Sequence, residues 1–157
     1  MAGLQPVDFE VARNGSGTPT SVLVADRTSA ALGGLYFATG WNAAANGGTG
    51  AFSGAATQIL SGTAIQAALG GPAVNGLSQI VVSGADVYAV TVEPLNAGQF
   101  GNNRIIKASF ANGFASANTG ISLVATAGTS REFQGIEMLL NPLFICEVLS
   151  PSITWGV

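Results

Sequence analysis

An all-β fold, a single-domain antiparallel β-sandwich or jelly roll, is predicted for this chain of 157 residues by three features of its sequence. Short runs rich in β-branched and aromatic residues recur along it, bounded by Gly, Asn and Pro. Asn-Gly pairs stand between many of these runs, at Asn14-Gly15, Asn46-Gly47, Asn75-Gly76 and Asn112-Gly113. Asn-Gly accepts the positive φ that tight hairpin turns require. Helical patterning, by contrast, is confined to one or two short stretches.

The strand runs, in order, are Val7 to Ala12, Ser21 to Asp26, Gly34 to Thr39, Gln79 to Ser83, Asp86 to Glu93, Asn103 to Ala111, Ile121 to Thr126 and Leu143 to Leu149. In Val7-Asp8-Phe9-Glu10-Val11 apolar and acidic residues alternate, which places one face in a core and the acids on a solvated face. Asp86 to Glu93 is more apolar and suits a central strand buried on both sides. Ser83-Gly84-Ala85 joins two runs and predicts a hairpin over 79–93.

Thr63 to Leu69 follows a Ser/Thr cap and stops at Gly70-Gly71-Pro72, a short helix with its start and stop in place. From Ser130 to Leu140 two readings stand. Thr129 and Glu132 have capping-box spacing, with Phe133, Ile136 and Leu140 on one helical face, while a strand fits the apolar end equally well. The small-residue stretch from Gly40 to Gly54 reads as an exposed loop, or as one that orders against a neighbouring subunit with Trp41 and Phe52 as anchors. No internal repeat or linker divides the chain, so residues 1–157 form one β-rich domain.

Eight acidic and five basic residues, with no histidine, make only 8% of the chain charged. An ordinary soluble domain carries about 25%. A surface this neutral fits a chain whose faces are covered by other subunits. The missing histidine excludes His-dependent triads and His metal sites. Lys107 is the only lysine and follows no glycine-rich loop, which excludes a P-loop. The glycines at 47, 48, 50 and 54 lack the downstream acid of a dinucleotide-binding motif. Cys146 has apolar neighbours and reads as a buried small hydrophobe.

The carboxylates show no Asp-x-Asp calcium spacing, and Glu132 and Glu137 do not share a helical face. Scattered basic residues give no nucleic-acid footprint, and no run approaches the roughly 20 apolar residues of a membrane span. The start of the chain lacks the basic and apolar regions of a secretory signal, which leaves the Asn14-Gly15-Ser16 glycosylation match without weight. No catalytic residue, cofactor or metal is expected.

Interfaces are where chemistry remains. Aromatic and arginine side chains anchor most protein contacts. The aromatic candidates are Trp41, Phe52, Phe100, Phe114 and Trp155, the last in the apolar tail 151–157, which is placed to contact a neighbour. Arg13 and Arg131 are candidates for bidentate pairing with a neighbour's carboxylate.

The start Leu4-Gln5-Pro6-Val7-Asp8-Phe9, the block Ala30-Ala31-Leu32-Gly33-Gly34-Leu35 and the Gly-rich loop from Gly40 to Gly54 give this chain a style that resembles the capsid decoration or cement proteins of tailed bacteriophages. The resemblance is one of composition and carries no motif or functional residue. It implies a non-enzymatic virion protein, assembled in the host cytoplasm. Such a protein binds the outside of an icosahedral shell as a dimer or trimer and reinforces joints between major capsid subunits. Another virion or tail component, a bacterial surface-assembly subunit and a carbohydrate-binding β-sandwich are the alternatives. For the last, the discriminator is an aromatic platform, Trp41 and Phe52 lying flat on an open surface.

Overall fold

The computed structural model describes residues 4–93, 103–127, 131–138 and 143–149, and for Arg131, Glu132, Gln134, Gly135, Met138 and the strand 143–149 it describes the backbone. These residues are all-β, in antiparallel sheets. One sheet has the order β1 (Pro6–Arg13), β2 (Pro19–Asp26), β3 (Gly34–Thr39), β6 (Thr57–Ser61). Between β3 and β6 lies a small hairpin of β4 (Trp41–Asn42) and β5 (Ala51–Phe52), joined through the single turn α1 (Ala45–Gly48). After α2 (Gly62–Leu69), the second sheet has the order β10 (Gly120–Thr126), β9 (Arg104–Ser109), β8 (Asp86–Val92), β7 (Gly76–Ser83). A last hairpin pairs β11 (Arg131–Met138) with β12 (Leu143–Leu149).

The two large sheets share one core. Leu23, Ala25, Leu35 and Leu60 come from the first sheet, and Leu77, Ile80, Val87, Ala89, Ile106 and Ala108 from the second. This is compatible with a sandwich, each sheet built mainly from sequence neighbours. On one side β1 runs beside β7, and on the other α2 touches both β6 and β10. The helix follows its sequence signals: the Ser61 hydroxyl accepts the Ala64 N–H at 3.1 Å, Ile65 is buried between the sheets, and the helix stops at Gly70. Gly76 admits a close backbone approach. Its φ is +142°, and a Cβ there would stand 2.1 Å from the Asp26 carbonyl oxygen. That explains why Asn75-Gly76 opens β7 instead of forming a hairpin turn.

The second sheet is covered on its other face as well. Val90 and Ile105 pack with Phe133 and Ile136 of β11, so β8 contributes to two cores, as the apolar run from Asp86 predicts. Two side-chain amides hold β11 in place. Asn103 accepts the Phe133 N–H and donates to the Phe133 carbonyl, both at 2.9 Å, and Gln79 accepts the Ile136 N–H at 3.0 Å. Residues 131–138 are therefore a strand, and the helical reading of Ser130 to Leu140 is set aside: burial of Phe133 and Ile136 against a sheet, with backbone pairing to β12, outweighs a capping-box match.

A buried ion pair closes one end of β8 and β9. Arg104 Nε donates to Glu93 Oε1 at 2.6 Å, both side chains being under 10% exposed (7% and 4%). The guanidinium also donates to the Gly70 and Pro72 carbonyls, which ties the segment after α2 to the sheet. Thr91 completes the cluster, its hydroxyl accepting the Arg104 N–H at 2.8 Å. Arg104 is thus an internal brace within the chain.

Candidate functional site

The face of β1 is inverted relative to the sequence expectation. Residues directly opposite each other in an antiparallel ladder share a face. Asp8 stands opposite Ala25, which is opposite Leu35, and Glu10 opposite Leu23, which is opposite Phe37. Ala25 and Leu35 are fully buried, so by register the two acids fall on the core side of β1, where Asp8 is half-buried and Glu10 remains exposed at the margin. The other face carries the rows Phe9, Val24, Tyr36 and Val11, Val22, Ala38. Phe9 is 65% exposed there, and Val7, at a register shift, is exposed beside it.

A physical reason for the inversion is visible at Asp8. The core face of β1 meets the free edge of β7, whose outward N–H groups need acceptors. Asp8 Oδ2 accepts the Ile80 N–H at 2.8 Å, and Oδ1 accepts the Phe9 N–H at 2.9 Å. An apolar side chain at position 8 would leave the Ile80 amide unpaired, at a cost of about 1–3 kcal/mol. An inward charge on an edge strand also discourages stray strand addition. The solvated-face reading of Asp8 is corrected accordingly.

Glu10 sits at a small cleft of ≈ 180 Å³ lined also by Val11, Leu23, Val82 and Phe114. Burial and the nearby Asp8 push its carboxyl above the usual range. A second cleft, of ≈ 190 Å³, lies among Phe37, Thr39, Thr57 and Ile59. Pockets that hold organic ligands usually enclose about 300–1,000 Å³, so neither has the size of such a site.

Among the described residues the most exposed large apolar side chain is thus Phe9, on the outward face of β1 beside the half-buried Val22 and Val24 of β2. At the far end of the first row Tyr36 is buried, its hydroxyl donating to the Leu32 carbonyl at 2.5 Å, while the Leu32 side chain is itself exposed. A second exposed apolar pair, Leu123 and Val124, lies at a bulge on the edge strand β10.

Among the described residues, the anchors expected from sequence do not gather on one surface. Trp41 and Phe52 oppose each other across β4 and β5, with rings 5.2 Å apart and edge-on at 63°, both half-buried. They form a mutual contact and no flat platform, so the segment from Gly40 to Gly54 is organised by its own hairpin. Phe114 packs on Phe110 and Phe37 at the margin of the core. Arg13 is exposed and donates to the Gly17 carbonyl at 2.9 Å, within its own hairpin. Arg131 opens β11 opposite Leu149. Phe100 and Trp155, with the tail 151–157, lie outside the described residues.

The sequence reading missed Phe9, Val7, Leu32, Leu123 and Val124 as surface residues. The available signal was the pair of acids on β1: two carboxylates in a first strand can face a neighbouring sheet edge as readily as solvent. Among the described residues no group of three His, Cys, Asp or Glu side chains forms a metal-binding set, and no helix is long and apolar enough to cross a membrane. No family model matches this chain, and comparison with curated proteins and with solved structures gave no match.

Proposed function

We propose that this chain is a non-enzymatic structural subunit of a larger assembly, of the kind that decorates and reinforces a virion shell, and that it docks through the outward face of β1 and β2. One observation carries the reading: Phe9 stands 65% exposed on an apolar row, while Asp8 on the opposite face is engaged by the edge of β7. Exposed apolar surface backed by a rigid sheet is what a docking partner buries. Covering a Phe side chain is worth about 1.5–3 kcal/mol, which makes Phe9 an anchor in a wider interface.

The use of the charged groups supports the same reading. Asp8 caps a sheet edge, Glu93 and Arg104 brace the fold, and Lys107 pairs with Asp86 at 2.7 Å. These groups have structural partners. The sparse charge and the resemblance to decoration proteins give the partner its class: a major capsid protein or other virion subunits, with the chain itself a dimer or trimer. Isolation of the chain from its native source, followed by electron microscopy, tests this. Finding it as a component of a shell supports the proposal, and a free monomer that turns over a substrate overturns it.

A further inference from the structure

Four Asn-Gly pairs share one reactive sequence but not one environment, and the differences single out Asn14. Cyclisation at Asn-Gly needs three things: a backbone nitrogen free to attack, space around it, and a side-chain carbonyl that can accept negative charge. Glycine supplies the space because it has no Cβ. At Asn14 the other two are present. The Gly15 N–H has no hydrogen-bond acceptor among the described residues. Asn14 Oδ1 accepts two backbone N–H groups, from Ser16 and Thr18, each at 3.0 Å. Paired backbone donors on a carbonyl oxygen stabilise the oxyanion that forms when its carbon is attacked.

The other three pairs differ. The Gly113 N–H already donates to the Phe110 carbonyl at 2.8 Å, which occupies the nucleophile after Asn112. Gly76 is buried against the Asp26 carbonyl, and the Asn75 N–H donates to Val92 at 2.6 Å, so that segment lacks room to close a ring. Asn46 uses its side chain as a donor, from Nδ2 to the Gly50 carbonyl at 3.3 Å. That contact engages the leaving group and does not polarise the carbonyl.

We propose that Asn14 is a self-modifying site that converts to aspartate and isoaspartate through a cyclic imide, with water as the only co-reactant. The Gly15 nitrogen bonds to Asn14 Cγ and gives up its proton to solvent base. The Cγ–Nδ2 bond breaks, and Nδ2 takes a proton from solvent and leaves as ammonia. Water then adds to either ring carbonyl, the corresponding C–N bond opens, and the nitrogen regains a proton. The product adds one negative charge beside Arg13, at the tip of the hairpin whose outward face carries Phe9. In the isoaspartate form the main chain is also lengthened at the turn, which disturbs the bonds to Ser16 and Thr18.

The test is peptide mapping by mass spectrometry of the intact folded chain after incubation at mildly alkaline pH, with aspartate and isoaspartate separated. Asn14 is expected to convert several-fold faster than Asn46 and Asn112, with Asn75 unchanged. Conversion of Asn46 or Asn112 at the Asn14 rate or faster overturns the proposal, as does an unmodified Asn14. Gly15→Ala supplies a second measurement, since a Cβ there meets nothing within 4 Å and the φ is not positive. It is expected to slow conversion at Asn14 several-fold, and an unchanged rate would show that the imide is not the route.

Discussion

The Asp8 carboxylate accepts the backbone N–H of Ile80 at 2.8 Å, joining the edge strand of one sheet to the edge strand of the other. This bond fixes Asp8 toward the other sheet and, through the two-residue period of a strand, leaves Phe9 facing outward. Asp8→Ala removes the acceptor and is expected to lower stability by about 1–3 kcal/mol in urea unfolding. Asp8→Asn retains a carbonyl oxygen at the same place and should lose clearly less. Equal losses would mean that the Ile80 contact contributes little.

The Arg104–Glu93 pair predicts a larger effect. Removing one member of a buried pair leaves the other charge uncompensated, at about 3–5 kcal/mol. Glu93→Ala should therefore shift the urea midpoint strongly. Replacing both members with Leu and Met of similar bulk should recover much of the loss, because desolvating the ions offsets most of their attraction. A double variant as weak as the single one would contradict this.

The elements that were legible in sequence are those where local pattern and tertiary environment agree. β3 and β12 run over the residues expected from their β-branched and aromatic content, Gly34–Thr39 and Leu143–Leu149, and α2 starts at its Ser61 cap. β6 was missed because Thr57-Gln58-Ile59-Leu60-Ser61 is short and runs straight into the helix. β11 stayed ambiguous because its apolar residues satisfy two periods, and the sheet beneath it decides between them. The facing of β1 was not legible: strict alternation identifies two faces, but only the position of β7 says which one is inside. Arg104 was hidden for a similar reason, since its partner Glu93 meets it only when β8 and β9 pair.

Two carboxylates give stability profiles of opposite sign. Glu10 is raised, by burial first and by Asp8 second. A folded value above the unfolded one means that the proton is bound more tightly in the native state. Its contribution is present below the unfolded value and lost as pH rises through the folded one. Glu10→Gln should accordingly be the more stable protein at neutral pH, with the difference shrinking in acid. Asp86 is lowered by hydrogen bonds from Lys107 and Ser109, so its contribution is present at neutral pH and lost as pH falls through its depressed value. Denaturation midpoints of Glu10→Gln and Asp86→Asn across pH 3 to 8, a span of about five units, check both signs.

Gly50 is held open by Trp41. Its φ is +84°, and a Cβ there would stand 2.0 Å from the indole ring. Gly50→Ala should displace Trp41 from Phe52 and shift its emission toward that of a solvated indole, measured in a Trp155→Phe background. The two large sheets should unfold nearly as before, since the small hairpin contributes nothing to their shared core. An unchanged spectrum would mean that the Trp41–Phe52 contact is not fixed by this turn.

Oxidative footprinting of Phe9, on the purified chain and on the native assembly that contains it, tests the central claim most directly. Phe9 should react readily in the free chain, where it is 65% exposed, and become protected in the assembly, with Val7 and Leu32 following it. Phe9→Asp should leave stability within about 0.5 kcal/mol, as exposed substitutions do, and should abolish incorporation into the assembly. Equal reactivity of Phe9 in both states, or full incorporation of Phe9→Asp, would contradict the assignment of this face as the docking surface.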